Sequence, residues 1–167
     1  MAAKIIHPWA PVFDKNSRIL ILGTMPSPAS REFGFYYGHA QNIFWSTLAK
    51  VLGQAEPAAN IAARREFLLK NHIALWDVLK SCAIDGAKDA TIRQPVANDF
   101  SEIFTAADIR AVFAAGHAAT NLFNKLCAAK AGTEAMYLPS TSPANRFRQN
   151  SPAFWKAWRQ LRNYLTD

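Results

Sequence analysis

The chain has 167 residues, and its 19 Lys and Arg against 12 Asp and Glu leave a formal charge of +7. Half of the residues are hydrophobic, which excludes a disordered basic tail, and that length predicts a single domain, 1–167. No apolar run reaches the roughly 18 residues of a membrane span, and the opening MAAKIIHPWAPVF lacks the apolar stretch of a secretory signal, so a soluble, cytoplasmic protein is expected.

In chain order, the first strand signal is Arg18-Ile-Leu-Ile-Leu22, a continuous apolar run ended by Gly23, as in a strand covered on both faces. A long loop is expected from Thr24 to about Gln41, with the aromatic cluster Phe33-Gly-Phe-Tyr-Tyr37 inside it. Phe44, Trp45, Leu48, Val51 and Leu52 then recur at helical spacing, and Gly53 supplies a stop. A second helix is predicted over 60–71 and a strand over 73–79, followed by an irregular stretch from 80 to 98. Asn98 or Asp99 caps a short helix through about Ala107, and 109–115 is a third strand. Gly116 opens a helix through Leu126, 135–138 is a fourth short strand, 139–152 a loop, and 154–165 the closing helix. Strands alternating with helices predict an α/β fold, a parallel sheet with helices on both faces. Ligands bind such sheets at the carboxyl ends of the strands, here the loops after Leu22, Leu79, Ala115 and Leu138.

Two cysteines, Cys82 and Cys127, are too few for a disulfide framework and form no C-x-x-C pair, so both read as reduced and structural. His7, His39, His72 and His117 are scattered without metal-ligand spacing, and no metal or other cofactor is expected. Six of the seven net positive charges fall in residues 1–50 and 134–167. Such an excess suits nucleic acid, an anionic membrane surface or a phosphorylated ligand, and by itself does not choose among them.

Three loops carry candidate chemistry. The first, Gly23-Thr24-Met25-Pro26-Ser27, matches neither the dinucleotide nor the P-loop fingerprint; it either presents backbone N–H groups and hydroxyls to a ligand or is an ordinary turn. The second, Tyr36-Tyr37-Gly38-His39-Ala40-Gln41-Asn42, precedes the helix begun by Phe44 and Trp45. Aromatic faces and amides are what a pocket for a flipped base needs, although Asn42 could equally be a helix cap. The third, Ser140-Thr141-Ser142-Pro143-Ala144-Asn145 with Arg146 and Arg148, is a rigid turn flanked by guanidiniums. It suits a loop that wedges into a duplex while holding phosphates, or is a plain surface turn.

Together RILILGTMPSPAS, GFYYGHAQNIFW, LWDVLKSC followed by DATIRQPVANDF, and LPSTSPAN resemble the uracil-DNA glycosylase superfamily and, within it, the hypoxanthine-DNA glycosylase family. The resemblance covers most of the chain in order. It implies a three-layer α/β/α sandwich around a short, mostly parallel four-stranded sheet, and a cofactor-free, monofunctional glycosylase that flips a deaminated base from double-stranded DNA in base excision repair, acting as a monomer. It places Gly23 to Ser27 in the first superfamily motif, against the flipped nucleotide. Classical uracil enzymes have a carboxylate there and mismatch-specific relatives an asparagine; this chain has Thr24-Met25. The resemblance puts the catalytic asparagine on Asn42, and the loop entering the minor groove on Ser140 to Asn145.

The missing carboxylate is chemically tolerable. Dissociative cleavage of an N-glycosidic bond leaves an oxocarbenium-like sugar and an electron-rich base, so an amide donor aimed at that base lowers the barrier by about 3 kcal/mol. Asn42 then contacts the base or positions water, Tyr36 or Tyr37 stacks on the base, His39 completes the pocket, and Arg146 and Arg148 bind phosphate. Asp77, Asp85 and Asp89 are the remaining candidates for the absent acid. Uracil or xanthine as the preferred substrate, and a non-catalytic nucleic-acid-binding module, are the alternatives.

Overall fold

Strand β2 (Ile19–Gly23) is buried along its whole length, because it lies inside a four-stranded parallel sheet in the order β3 (Ile73–Asp77), β2, β6 (Ala111–Ala115), β7 (Ala135–Leu138). The computed structural model in which this sheet is seen describes residues 2–166. Successive β2 side chains serve opposite layers: Ile19 and Ile21 join one apolar cluster, Leu20 and Leu22 the other. Each such fully buried side chain contributes about 1.5–3 kcal/mol. The unbroken apolar run expected of a doubly covered strand is therefore the physical reason this strand is central.

Helices cover both faces. On one side α2 (Phe44–Leu52), α3 (Ile61–Lys70) and α7 (Pro152–Arg159) bury Phe44, Trp45, Leu48, Leu68, Phe154 and Trp158 against the sheet. On the other, α4 (Ser101–Ala106) and α5 (His117–Leu126) bring Ile103, Ala119 and Phe123, with the short α6 (Ala128–Ala131) behind them. This is the expected three-layer α/β/α arrangement. From β2 the chain crosses to β3 on one side and later to β6 on the other, so the winding direction reverses at β2 and opens a crevice at its carboxyl end.

Five local expectations need correction. The stretch 80–98 is not irregular: β4 (Leu79–Ile84) and β5 (Arg93–Ala97) form, with β1 (Ala3–Ile6), a second, antiparallel sheet in the order β1, β4, β5. Exposure of β1 and β5, and Pro95 on an outer strand that needs no donor there, erase the alternation that signals a strand. The strand starting at Ile73 ends at Asp77 and hands the chain to β4 after Val78. Within the supposed loop after Gly23 lies α1 (Pro28–Phe33), capped by Ser27 and closed by Gly34 at φ 94°. The third strand and the closing helix also shift: the former begins at Ala111, and the latter begins at Pro152 and tightens into a 3-10 turn over Gln160–Tyr164.

Candidate active site

All four parallel strands end at one cavity of about 340 Å³: Gly23 closes β2, Asp77 β3 and Ala115 β6, and Ser140 follows β7. Thr24, Met25, Pro26 and Ser27 form the wall leaving β2, and Ser30 of α1 joins them. That wall is braced from below, where Val78 N–H donates to the Gly23 carbonyl at 2.8 Å and Leu79 N–H to that of Thr24 at 3.2 Å. Ser27 caps α1 through the Ser30 N–H, and the Ser30 hydroxyl accepts from Gly38 N–H at 3.0 Å, which ties the first loop to the second.

Tyr36, Tyr37, His39 and Asn42 supply the next wall. Tyr36 is buried, its hydroxyl donating to the Ala10 carbonyl at 3.0 Å. Tyr37 sits at φ +53°, a conformation unusual for a bulky residue, with its ring stacked on Phe44 at a centroid distance of 3.9 Å. One face of that ring is thus already covered. Its hydroxyl is buried and has no hydrogen-bond partner among the described residues. Burial first, then the charge of Asp77, pushes both tyrosine hydroxyls well above the ordinary range. His39 stands exposed at the rim and accepts from Gln41 N–H at 3.0 Å.

The two readings of Asn42 are compatible in one side chain. Its Oδ1 accepts from Phe44 N–H at 2.9 Å, satisfying a donor of the first turn of α2. Because that bond consumes the oxygen, the amide orientation is fixed and the Nδ2 donors are left for the cavity that Asn42 lines.

Of the three carboxylates singled out, two reach the cavity. Asp77 is 4% exposed, with Oδ2 at 2.7 Å from His7 Nε2. His7 Nδ1 lies 3.2 Å from the Trp9 N–H and 3.0 Å from the Trp9 carbonyl, so it accepts in the neutral ring and donates in the imidazolium. Nε2 donates to Asp77 in either state. Asp89 lies higher, on an exposed rim segment; crowding of its carboxyl by protein raises its pKa, the neighbouring Thr24 side chain opposes this, and the Asp77 charge adds to it. Asp85 is turned away and pairs with Lys88 at 3.3 Å on the surface.

Ser140, Thr141, Ser142 and Pro143 close the remaining wall, with Ser142 capping a 3-10 turn over Pro143–Arg148. The turn is held from within: Asn145 donates to the Ser140 carbonyl at 2.9 Å, and Gln149 to the Ser142 carbonyl at 2.8 Å. Ala144, Asn145, Arg146 and Arg148 lie outside the cavity lining, and the Asn145 amide faces its own loop. Arg146 reaches across the mouth to Gln41 Oε1 at 3.1 Å, and Ile43 N–H donates to the Thr141 carbonyl at 3.2 Å, so the second and third loops are latched together. Between Arg146 and Arg148, Phe147 is fully exposed.

Every residue expected in the base pocket lines this cavity, as do Asn42 and the first half of the third loop. His7, Phe147 and the wall formed by Ile84, Gly86 and Ala87 carry no sequence signal; only their position between β4 and the mouth, or beside Asp77, reveals them.

The chain resembles known proteins over most of its length. The model of the uracil DNA glycosylase superfamily matches residues 10–162. A hypoxanthine DNA glycosylase of Methanosarcina acetivorans is 34% identical over 148 residues, 87% of this chain and 92% of its own. One from Methanosarcina barkeri is 40% identical over 93 residues, 56% of this chain and 59% of its own. The solution NMR structure of a candidate uracil DNA glycosylase from M. acetivorans superposes with a TM-score of 0.75 at 30% identity, covering 96% of this chain and 99% of that one. The chain belongs to the uracil DNA glycosylase superfamily and is a DNA glycosylase.

Proposed function

We propose that this glycosylase excises hypoxanthine from duplex DNA by base flipping and hydrolysis of the N-glycosidic bond, opening base excision repair at deaminated adenine. The observation that carries this reading is the cavity of about 340 Å³ in which Asn42 presents an oriented amide donor between the two latched loops. A cavity at the lower end of the ligand-pocket range takes one base and no duplex, so the nucleotide must leave the stack to reach Asn42. The named activity of the two archaeal relatives supports the choice of base.

In this mechanism the C1′–N9 bond breaks first and its electron pair departs with the base. Asn42 Nδ2 donates to the charge that accumulates there. Water oxygen then bonds to C1′ and loses a proton. Asp89, at the rim where the sugar would sit and with its basicity raised by the protein crowded around its carboxyl, receives it.

The test is incubation with labelled duplexes bearing hypoxanthine, uracil, xanthine or no lesion, followed by alkali. Fastest strand breakage at hypoxanthine is expected. Faster breakage at uracil or xanthine reassigns the substrate, and absence of breaks on all four duplexes overturns the reading.

A further inference from the structure

Asp77 and Tyr37 face each other across the Cα of Gly23. A Cβ at residue 23 would collide with Asp77 Oδ1 and lie 3.0 Å from the Tyr37 hydroxyl, so only glycine leaves both groups open at the floor of the cavity. Both are polar atoms in want of a ligand. Asp77 Oδ2 is taken by His7 Nε2 at 2.7 Å, with the two side chains 6% and 2% exposed, while Oδ1 has no hydrogen bond among the described residues. The Tyr37 hydroxyl is buried and has no partner among the described residues, an arrangement that is costly unless something else satisfies it. Stacking on Phe44 and the positive φ hold that hydroxyl where it is.

We propose that this pair reads the deaminated edge of the base: Asp77 Oδ1 accepts the ring imino N–H, and the Tyr37 hydroxyl donates to the adjacent carbonyl oxygen. The inference rests on the reading of the cavity as a base pocket and names what selects the base within it. Deamination of adenine converts N1 from an acceptor to an N–H donor and the neighbouring amino group to a carbonyl. Hypoxanthine therefore offers donor and acceptor where Asp77 and Tyr37 offer acceptor and donor. Adenine offers the reverse, and its N1 lone pair faces a carboxylate. Uracil differs from cytosine in the same way at N3 and O4, whereas guanine already carries an imino N–H and is not rejected at this contact. Leaving a buried polar group unpaired is what makes such sites discriminate strongly. His7 is the positioning residue: by holding Oδ2 it turns Oδ1 toward the cavity.

The experiment is equilibrium binding of free hypoxanthine and free adenine, followed by tryptophan fluorescence, for wild type, Asp77→Asn, Tyr37→Phe and His7→Gln, with each variant's melting temperature as control. Wild type is expected to prefer hypoxanthine. In Asp77→Asn the His7 proton claims the amide oxygen and leaves an NH₂ facing the base, so the hypoxanthine-to-adenine ratio falls by roughly 10- to 100-fold. Tyr37→Phe lowers the ratio less and keeps the melting temperature, and so carries the test alone if Asp77→Asn fails to fold. His7→Gln restores part of the preference relative to Asp77→Asn, since its amide can still donate to Oδ2. An unchanged ratio in Asp77→Asn and Tyr37→Phe, or binding of neither base by wild type, overturns the inference. Lost discrimination without duplex cleavage by wild type sinks the proposed function and leaves this inference standing; cleavage with unchanged discrimination does the opposite.

Discussion

In the proposed mechanism Asn42 has two tasks for one amide, and the tasks separate by substitution. Its oxygen accepts from Phe44 N–H, and its nitrogen is free toward the cavity. Asn42→Ala removes both, so single-turnover cleavage should fall about 10²–10³-fold, and loss of the bond to the first turn of α2 should cost about 1 kcal/mol in a denaturation midpoint. Asn42→Asp keeps an acceptor for Phe44 N–H and loses the donor. Cleavage should fall as far as in the alanine variant while the midpoint holds; retained cleavage in Asn42→Asp would remove the amide donor from the mechanism. The neighbouring tyrosines give the pocket a pH signature. Their hydroxyls are raised well above 10 in the folded chain, by burial first and Asp77 second. A raised acid holds its proton in the native state, so the associated stability is complete below the unfolded value near 10 and is lost as pH climbs beyond it, at about 1.4 kcal/mol per pH unit for each tyrosine. Urea titrations between pH 10 and 11.5 should therefore show a shallower decline for Tyr36→Phe/Tyr37→Phe than for wild type. Parallel declines would mean that the hydroxyls reach solvent in the native state.

At the scale of elements, the turn Pro143–Arg148 is held by some side chains and leaves others exposed. Asn145 and Gln149 point inward and fix the Ser140 and Ser142 carbonyls, whereas Phe147 touches nothing that would be lost on truncation. A fully exposed aromatic between two arginines at the mouth has the form of a wedge for the gap that a flipped base leaves. Phe147→Ala should leave the melting temperature within about 1 °C of wild type, consistent with a surface change of under 0.5 kcal/mol. Cleavage of duplex substrate should drop severalfold while cleavage of the same lesion in single strands is unaffected, and an equal drop on both would show that Phe147 acts without a duplex to enter. How far each element was readable follows from how it is buried. β2 and α2 carry their burial as pattern, an unbroken apolar run and a helical repeat, and both were found where the pattern put them. The Ser27-Pro28 pair marks a helix start, yet α1 is too short for periodicity to register. β1 and β5 lie at sheet margins, where exposure and Pro95 leave no alternation. The site divides along the same line. Residues on loops leaving the parallel strands were legible because strand ends converge in any such sheet. The contact of His7 with Asp77 was not, since it spans 70 positions in sequence and depends on β1 pairing with β4, the strand that directly follows β3.

For the whole molecule, a charge of +7 says less than where the charges stand. Both terminal segments are basic, but their cations do not all face the cavity. Lys50 and Arg159 flank the Trp155 ring at 5.7 and 6.0 Å, and Lys50 lies six residues, about 9 Å, along α2 from the end that borders the mouth. Arg110, outside those segments, donates to the Thr166 carbonyl at 3.0 Å. Arg146 and Arg148 are the exposed cations on the turn that closes the pocket, and Arg146 is already aimed across the mouth by Gln41. Binding to DNA should therefore weaken with salt, and the logarithm of Kd against that of salt concentration should lose about 0.9 of its slope for each phosphate contact removed. For Arg146→Ala/Arg148→Ala the expected loss is roughly 1.8, whereas Arg159→Ala should leave the slope as it is. The slopes come from anisotropy titrations of a labelled duplex at several salt concentrations. A slope that survives loss of both turn arginines but falls with Arg159 would move the DNA from the pocket mouth to the α2–α7 face. A flipped nucleotide could not then reach Asn42, because the strand that bears it would lie along the α2–α7 face and not across the carboxyl ends of the strands.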